Sequence, residues 1–190
     1  MVTIPGGTFY AGLQGEKDNP ARQLDIGAFK MDEYEVTQAD YEKVMGSNPS
    51  FFKNCPDCPV EQVTWHEADA YCKKMGKRLP TEWEWEKAAR AGTTTAYYWG
   101  GKPDGAYAWW RENSDEKTHP AGEKKPNGYG LHDMAGNVWE WTASDYEGKA
   151  GHKVSRGGAW SYNPISARPA YRLPYDPDRR FDSIGFRCAR

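Results

Sequence analysis

The sequence lacks long apolar runs and a strong net charge of either sign. Hydrophobic residues make up 38% of the 190 positions, and no run of them approaches the ~20 residues that a membrane-spanning helix needs. The formal net charge is -2, so there is no electrostatic reason to expect binding to nucleic acid or to an anionic membrane. We therefore expect neither a nucleic-acid partner nor membrane insertion.

Several catalytic and cofactor-binding motifs are also missing. The chain contains no Gly-x-Ser-x-Gly motif, no phosphate-binding loop and no dinucleotide-binding fingerprint. Its four histidines never occur at the short spacing of a metal-binding pair. They are His66, His119, His132 and His152. We interpret them as solvated side chains or as residues at the edge of the core.

We expect no signal peptide in this sequence, because its first residues already resemble the start of a folded domain. We expect the chain either in the cytoplasm or as a domain of a larger surface-displayed protein, and the localisation stays open.

A length of 190 residues suits a single domain over 1–190. The core of this domain can be built from aromatic residues, because nine tryptophans, twelve tyrosines and six phenylalanines supply large buried areas from few positions.

Capping signals and apolar spacing predict three helices in the first half of the chain. Thr37 is a suitable N-cap for a helix over residues 38–45, and Gly46 ends that helix. A second helix is predicted over about residues 65–75, where apolar residues recur at helical spacing.

The third helix begins with a capping box formed by Thr81 and Glu84, and it continues to about Arg90. It carries two further acidic residues, Glu82 and Glu86. We interpret the three glutamates as a capped, solvated face rather than as a general acid–base pair.

Strand signals lie before and after these helices. Short strands are predicted over residues 7–10 and 29–31, and the last hundred residues consist of short strand candidates and glycine-rich or proline-rich loops. Helices first and an irregular, strand-rich half second indicate an α+β fold.

The segment Asn127–Thr142 is the expected centre of the core. Gly128 and Gly130 favour a turn at its start, and Gly136 favours a second turn. The residues that follow, Val138–Thr142, alternate between apolar and polar and predict a half-buried strand with two tryptophans.

This central segment resembles the signature of the formylglycine-generating-enzyme family, also called the sulfatase-modifying-factor family. Four more segments resemble that family in the same order: Ile4–Phe9, Gly76–Glu86, Arg156–Trp160 and Gly185–Cys188. The resemblance covers nearly the whole chain. It implies a C-type-lectin-like fold of the formylglycine-generating-enzyme type, with much irregular structure.

The four cysteines fall into two pairs of different kinds. Cys55 and Cys58 have the spacing of a metal knuckle but no partner pair, so a loop disulfide or two free thiols is expected. Cys72 and Cys188 match a pair that forms a disulfide in secreted members of the family. In a reducing compartment they would instead be small buried apolar groups.

The resemblance also implies a calcium site in the central segment. Asp133 and Glu140 match positions whose side chains bind calcium in the family, and Gly136 and Val138 match positions that offer backbone carbonyls. Such hard oxygen donors suit Ca²⁺. The alternative is a glycine turn whose acidic side chains only cap backbone amides.

Enzymes of the family oxidise a substrate cysteine with copper(I), which two cysteines hold shortly after the Arg-Gly-Gly segment. Counted from Arg156, these positions fall at Tyr162 and Ala167. A phenol does not replace a thiolate toward Cu(I), and a methyl group does not ligate a metal. We therefore expect no copper and no oxidase activity.

Residues 156–188 carry the expected ligand-binding surface. Tyr, Ser, Asp and Asn side chains on loops combine rigid aromatic contact area with adaptable hydrogen bonding. The predicted contact residues are Ser161, Tyr162, Asn163, Tyr171, Leu173, Tyr175, Asp176, Phe181, Asp182 and Ser183. This composition resembles the variable region of proteins diversified by diversity-generating retroelements, although ordinary non-catalytic family members have similar tails.

The resulting hypothesis is a monomeric, non-catalytic module that binds a protein or other surface ligand. One alternative is a formylglycine-generating-enzyme-like pseudoenzyme that grips a peptide without reacting. Another is an iron-dependent relative acting on a peptide or small molecule, although the scattered histidines argue against an iron site.

Overall fold

Two short β-pairs, three helices and one four-stranded sheet follow each other in the computed structural model, which describes residues 1–190. The strands are β1 Val2–Ile4, β2 Gly7–Ala11, β3 Arg22–Ile26, β4 Phe29–Met31, β5 Trp139–Asp145, β6 Lys153–Arg156, β7 Arg172–Tyr175 and β8 Ile184–Gly185. The helices are α1 Gln38–Met45, α2 Trp65–Lys74 and α3 Glu82–Arg90, with a short 3-10 helix at Pro164–Ala167. This confirms the predicted α+β architecture.

The main sheet brings together strands from the last third of the chain in the order β7-β6-β5-β8. β5 pairs antiparallel with β6 and parallel with β8, so that Glu140 lies opposite both Arg156 and Gly185. The pairs β1–β4 and β2–β3 form two separate antiparallel ribbons. β5 is therefore an interior strand of the sheet.

The predicted helix boundaries are confirmed because their signals are local. Thr37 Oγ1 accepts a hydrogen bond from the amide of Asp40, and Gly46 ends α1 in the left-handed region with φ 87°. The capping box of Thr81 and Glu84 opens α3. An unpredicted second capping box opens α2.

None of the three helices combines the length and the apolar character that crossing a lipid bilayer requires.

The prediction that the central strand is half-buried is wrong. Trp139, Glu140, Trp141 and Thr142 are all fully buried, on both faces of β5. The reason is that α2 and the C-terminal loops pack together on Trp139 and Trp141, while Trp85 of α3 contacts Glu140, which points to the other face. A strand covered on both faces does not need to alternate strictly.

The prediction that the glutamates of α3 form a solvated face is also wrong. Glu84 completes the capping box, but Glu82 and Glu86 are buried. Glu86 Oε2 lies 2.6 Å from the guanidinium of Arg156, and its Oε1 accepts hydrogen bonds from Arg90 and from the amide of Gly12. Buried carboxylates of this kind are stable only when cations and amides replace their lost water.

Two arginines hold the second buried glutamate of α3. Glu82 accepts a hydrogen bond from Arg172 at 2.9 Å and lies 3.7 Å from Arg156. The ionic network of Glu82, Glu86, Arg90, Arg156 and Arg172 thus joins α3 to β6 and β7. It is a structural network that connects the helical half of the chain to the sheet.

Both cysteine pairs are disulfides. Cys55 and Cys58 close a short loop, which decides between the two alternatives left open for them. Cys72 of α2 is bonded to Cys188 near the C-terminus, as the family resemblance implied. The second bridge joins residues 116 positions apart, and in the loop-entropy description such a closure stabilises the fold by about 4–5 kcal/mol.

Replacement of Arg156 by methionine tests the ionic network. The substitution keeps much of the side-chain volume but removes a cation that contacts Glu86 and donates to the carbonyls of Pro169 and Tyr171. We expect the free energy of unfolding in urea to fall by about 3–5 kcal/mol, because a buried carboxylate loses a partner. The exposed Arg179→Met variant should change it by no more than about 0.5 kcal/mol. If the free energy of unfolding falls no more for Arg156→Met than for the control, the ionic network does not stabilise the fold as proposed.

Candidate ligand-binding surface

The C-terminal segment places its aromatic side chains on the two tryptophans of β5. Tyr162 meets the ring of Trp139 edge to face at 5.4 Å, and Tyr171 lies at 6.1 Å from the same ring. Tyr175 meets Trp141 edge to face at 6.2 Å. The tryptophans are fully buried and the three tyrosines are half-buried, so each tyrosine is anchored on its inner side and free on its outer side.

Two of these tyrosines are also joined through their hydroxyl groups. The hydroxyl oxygens of Tyr162 and Tyr175 lie 2.7 Å apart, and Phe181 packs against Tyr175 at 5.0 Å. Burial, followed by the hydrogen bond with Tyr162, raises the pKa of Tyr175 far above its ordinary value. This phenol therefore remains neutral and can donate or accept hydrogen bonds over the physiological range.

Nine of the ten predicted contact residues are at least partly accessible. Asn163 is exposed, and its side-chain oxygen accepts from the amide of Ile165 at the start of the 3-10 helix. Ser183 is the exception. It is only 6% exposed, and its carbonyl accepts from the amide of Trp139 at 2.8 Å, so it supports β5 instead of facing a ligand. No local pattern indicates this, because the strand that Ser183 supports lies more than forty positions earlier in the chain.

The two positions predicted to correspond to the copper ligands of the family carry no sulfur. Tyr162 is held at the surface by its contacts with Trp139 and Tyr175, and Ala167 is buried at the end of the 3-10 helix. All four cysteines of the chain are in disulfides, so no free thiol exists elsewhere to replace the missing pair.

A pocket of about 350 Å³ adjoins this surface and was not predicted from the sequence. Its aromatic walls are Phe51, Phe52 and Trp160, and Phe52 meets Trp160 edge to face at 5.2 Å. The remaining lining residues are Arg111, Glu116, Ser161 and Asp182. Ser161 and Asp182 belong to both the pocket and the predicted surface, which makes the two continuous. The only sequence signal was a pair of adjacent phenylalanines outside any helical or strand pattern.

One residue that lines this pocket has a left-handed backbone conformation. Of the seven residues other than glycine with positive φ, Glu116 lines the pocket with φ 55°, and Asp115 directly precedes it with φ 50°. Such conformations are unfavourable for residues with a Cβ atom and tend to occur where function requires a fixed side-chain direction.

The residues predicted to bind calcium are close in sequence, but one carboxylate is already in use. Both oxygens of Glu140 accept from Arg187 at 2.8–3.0 Å, and Oε2 also accepts from Trp85 Nε1 at 2.7 Å. Asp133 is buried, with Oδ2 bound to the amide of Gly122 and Oδ1 without a partner. Burial raises the pKa of Asp133 to about 6.

This arrangement does not fit a calcium ion, because Glu140 has no oxygen free for it and no cluster of three potential ligand side chains is formed. Calcium binding by Asp133, Gly136, Val138 and Glu140 stays a prediction that would require the pair between Glu140 and Arg187 to open. The four histidines likewise lie apart in the fold, on α2 and on separate loops.

The fold and this surface together define a C-type-lectin-like domain of the formylglycine-generating-enzyme type. The chain belongs to the sulfatase-modifying-factor family, since the family described as "Sulfatase-modifying factor enzyme 1-like domain" matches residues 1–190.

Two sequence relatives and one solved structure show which members of the family the chain is similar to. It is 31% identical to the inactive C-alpha-formylglycine-generating enzyme 2 of Mus musculus, over all of this chain and 85% of that protein. It is also 31% identical to the formylglycine-generating enzyme of Bos taurus, over all of this chain and 74% of that protein. The structure of Treponema denticola variable protein 1 superposes with a TM-score of 0.91 at 29% identity, covering 100% of this chain and 94% of the other.

Addition and removal of calcium test whether the hydrogen bonds from Arg187 and Trp85 to Glu140 prevent calcium from binding there. Opening a buried ion pair costs several kcal/mol, so we expect weak binding at most. A ligand present at a concentration near its Kd raises the free energy of unfolding by about 0.4 kcal/mol. If the Kd for calcium is about 1 mM or weaker, the melting temperature in 1 mM calcium should exceed that in EDTA by no more than about 1 °C. An increase of several degrees that Asp133→Ala abolishes would show that calcium binds at Asp133 and would contradict this expectation.

Proposed function

We propose that the protein is a non-catalytic ligand-binding module that presents residues 156–188 to a protein or other surface ligand. The observation that carries the proposal is the row of tyrosines laid on Trp139 and Trp141. Each ring has a buried inner side that fixes its position and an outer side that is free. Rigid aromatic groups lose little conformational entropy on binding, which makes them effective anchors of an interface.

The kinds of residue on this surface support a diversified binder. Tyr, Asn, Asp, Ser, Phe and Leu occupy its accessible positions, while residues that hold the sheet together, such as Arg156 and Arg172, lie beneath them. A set of changeable contacts on a fixed framework suits a protein that must bind different partners. The similarity to a Treponema denticola protein named as a variable protein supports the same proposal.

The absence of catalysis follows from chemistry at the positions of the metal ligands. A tyrosine and an alanine stand where the family's enzymes have thiolates, and all four cysteines of the chain are in disulfides. Cu(I) requires soft sulfur ligands, and neither side chain supplies one. We therefore propose that the protein binds a ligand without oxidising it, as a monomer.

Peptides selected from a random display library on the immobilised protein provide a probe for the surface. We expect a Tyr162→Leu, Tyr171→Leu, Tyr175→Leu triple variant to weaken their binding at least ~100-fold, because interface anchors each contribute about 2 kcal/mol or more. Leucine keeps an apolar side chain on the two tryptophans, so the variant should remain folded. Isothermal titration measures the affinities, and thermal unfolding checks the fold.

Tyr10→Leu is the matched control for this experiment. Tyr10 is 58% exposed on β2, outside the proposed surface. Its replacement should leave the affinity of the selected peptides unchanged within about twofold. Peptides that bind the folded triple variant as tightly as the original protein would show that the tyrosine row is not the binding surface.

A pseudoenzyme that grips a substrate-like peptide is the second candidate, and the similarity to an inactive murine family member favours it. Incubation with copper(I) and a Cys-x-Pro-x-Arg peptide separates the candidates. We expect no change in the mass of the peptide thiol, because no thiolate pair is present to hold the metal. Binding of this peptide in preference to a Ser-x-Pro-x-Arg control would favour the pseudoenzyme, and formation of an aldehyde would contradict both proposals.

A further inference from the structure

The segment that carries Phe51 and Phe52 forms one wall of the pocket beside the tyrosine surface. We call these two residues the phenylalanine wall. Phe51 is 64% exposed, more than any other large apolar side chain of the protein. It meets Phe52 edge to face at 5.1 Å, and Phe52 in turn packs on Trp160. An exposed aromatic ring on a short loop needs a firm attachment to keep one position.

Glu61 supplies this attachment. One carboxylate oxygen accepts a hydrogen bond from the amide of Phe51 and the other from the amide of Phe52, both at 2.9 Å. The side chain of Glu61 is buried, and no lysine, arginine or histidine lies within ion-pair distance of it. Its partners are therefore backbone amides alone.

Other contacts leave part of the segment independent of this carboxylate. Gln38 Nε2 donates to the carbonyl of Phe52 at 2.9 Å, and Ser50 Oγ accepts from the amide of Glu61. The disulfide between Cys55 and Cys58 closes the end of the segment. These contacts keep the loop folded while the direction of the two phenylalanine amides depends on Glu61.

The charge state of Glu61 changes close to neutral pH. Burial raises the pKa of this carboxyl to about 7, although the amides of Phe51 and Phe52 oppose the increase. Asp182, which reaches the pocket from the segment before β8, raises the pKa further, and Lys53 of the same loop lowers it. Across the pocket stand Arg111 and Glu116.

Protonation changes what Glu61 can accept. An ionised carboxylate accepts two charge-assisted hydrogen bonds equally well, one on each oxygen. The neutral acid has a single carbonyl oxygen and a hydroxyl, which is a weaker acceptor and needs an acceptor of its own. One of the two amides in the phenylalanine wall therefore loses most of its hydrogen bond when Glu61 takes up a proton.

We propose that Glu61 is a positioning residue that fixes the phenylalanine wall in its ionised form and loosens it in its neutral form, so that this part of the ligand-binding surface responds to pH. The effect on ligand binding rests on the proposed function. The effect on the wall itself does not, and it can be measured without any ligand.

Amide resonances of Phe51 and Phe52 in the ligand-free protein provide the direct test. Between about pH 5.5 and 8.5 both should follow one titration with its midpoint near 7, and their hydrogen exchange, corrected for intrinsic rates, should slow as the pH rises through it. In Glu61→Gln, which does not ionise, this titration should disappear. Amides that do not titrate in the original protein, or that titrate unchanged in Glu61→Gln, would overturn the proposal.

Two neighbouring substitutions keep the test decisive if Glu61→Gln does not fold. Asp182→Asn removes a negative charge and should move the midpoint to lower pH, whereas Lys53→Met removes a positive charge and should move it to higher pH. These opposite shifts follow only if Glu61 is the titrating group. Equal or absent shifts would assign the titration to another residue and overturn the proposal.

Stability provides a second readout with a definite sign. The pKa of Glu61 in the fold lies above its ordinary value of 4.5, so its stabilising contribution is fully present below that value and is lost as pH rises through about 7. The difference in free energy of unfolding between the original protein and Glu61→Gln should fall over this interval and then level off. A difference that does not change with pH would contradict a proton bound at Glu61.

The library-selected peptides test the link to binding. Their affinity for the original protein should fall several-fold as pH decreases through about 7, while Glu61→Gln should bind weakly and without this dependence. If the amides of Phe51 and Phe52 titrate but the affinity of the peptides does not change with pH, the phenylalanine wall does not influence ligand binding, and that part of the proposal is overturned. If no peptide binds at any pH but the wall titrates, the proposed function fails and the positioning role of Glu61 stands.

Discussion

The structure depends on the buried contact between Glu140 and Arg187. Both carboxylate oxygens of Glu140 accept from this guanidinium, and Trp85 of α3 donates to the same carboxylate. Arg187 also donates to the carbonyls of Glu33 and His132. One ion pair therefore connects the central strand, a helix, the β4–α1 connection and the C-terminal segment, and it does so where no water can replace a missing partner.

A second buried network continues this arrangement on the neighbouring strand β6. Arg156 lies opposite Glu140 on the neighbouring strand, and its guanidinium points to the two buried glutamates of α3. Because charges fix the relative positions of strands and helix, the loops above them contribute less to the integrity of the fold.

The cysteines of the same framework bear on the choice between binding and catalysis. Its cysteines are used in disulfides that join distant or looped parts of the chain, and none is left near Tyr162 or Ala167. The tyrosines fill that region instead and rest on Trp139 and Trp141. The chain is similar both to a formylglycine-generating enzyme and to proteins named as inactive or variable. The proposed function rests on Tyr162 and Ala167 standing where an oxidase of the family would need sulfur.

The sequence by itself determined the features that short stretches encode. Thr37, Thr81 and Glu84 set the helix starts because a cap and its amide partner lie within one turn, and the ordered family motifs indicated the fold. Burial was decided only by the tertiary structure. Glu82 and Glu86 appeared solvated, and Ser183 appeared accessible, because the groups that cover or pair with them are distant in sequence. The pocket beside Phe51 was missed for the same reason, since its walls come from four separate segments that meet only after folding.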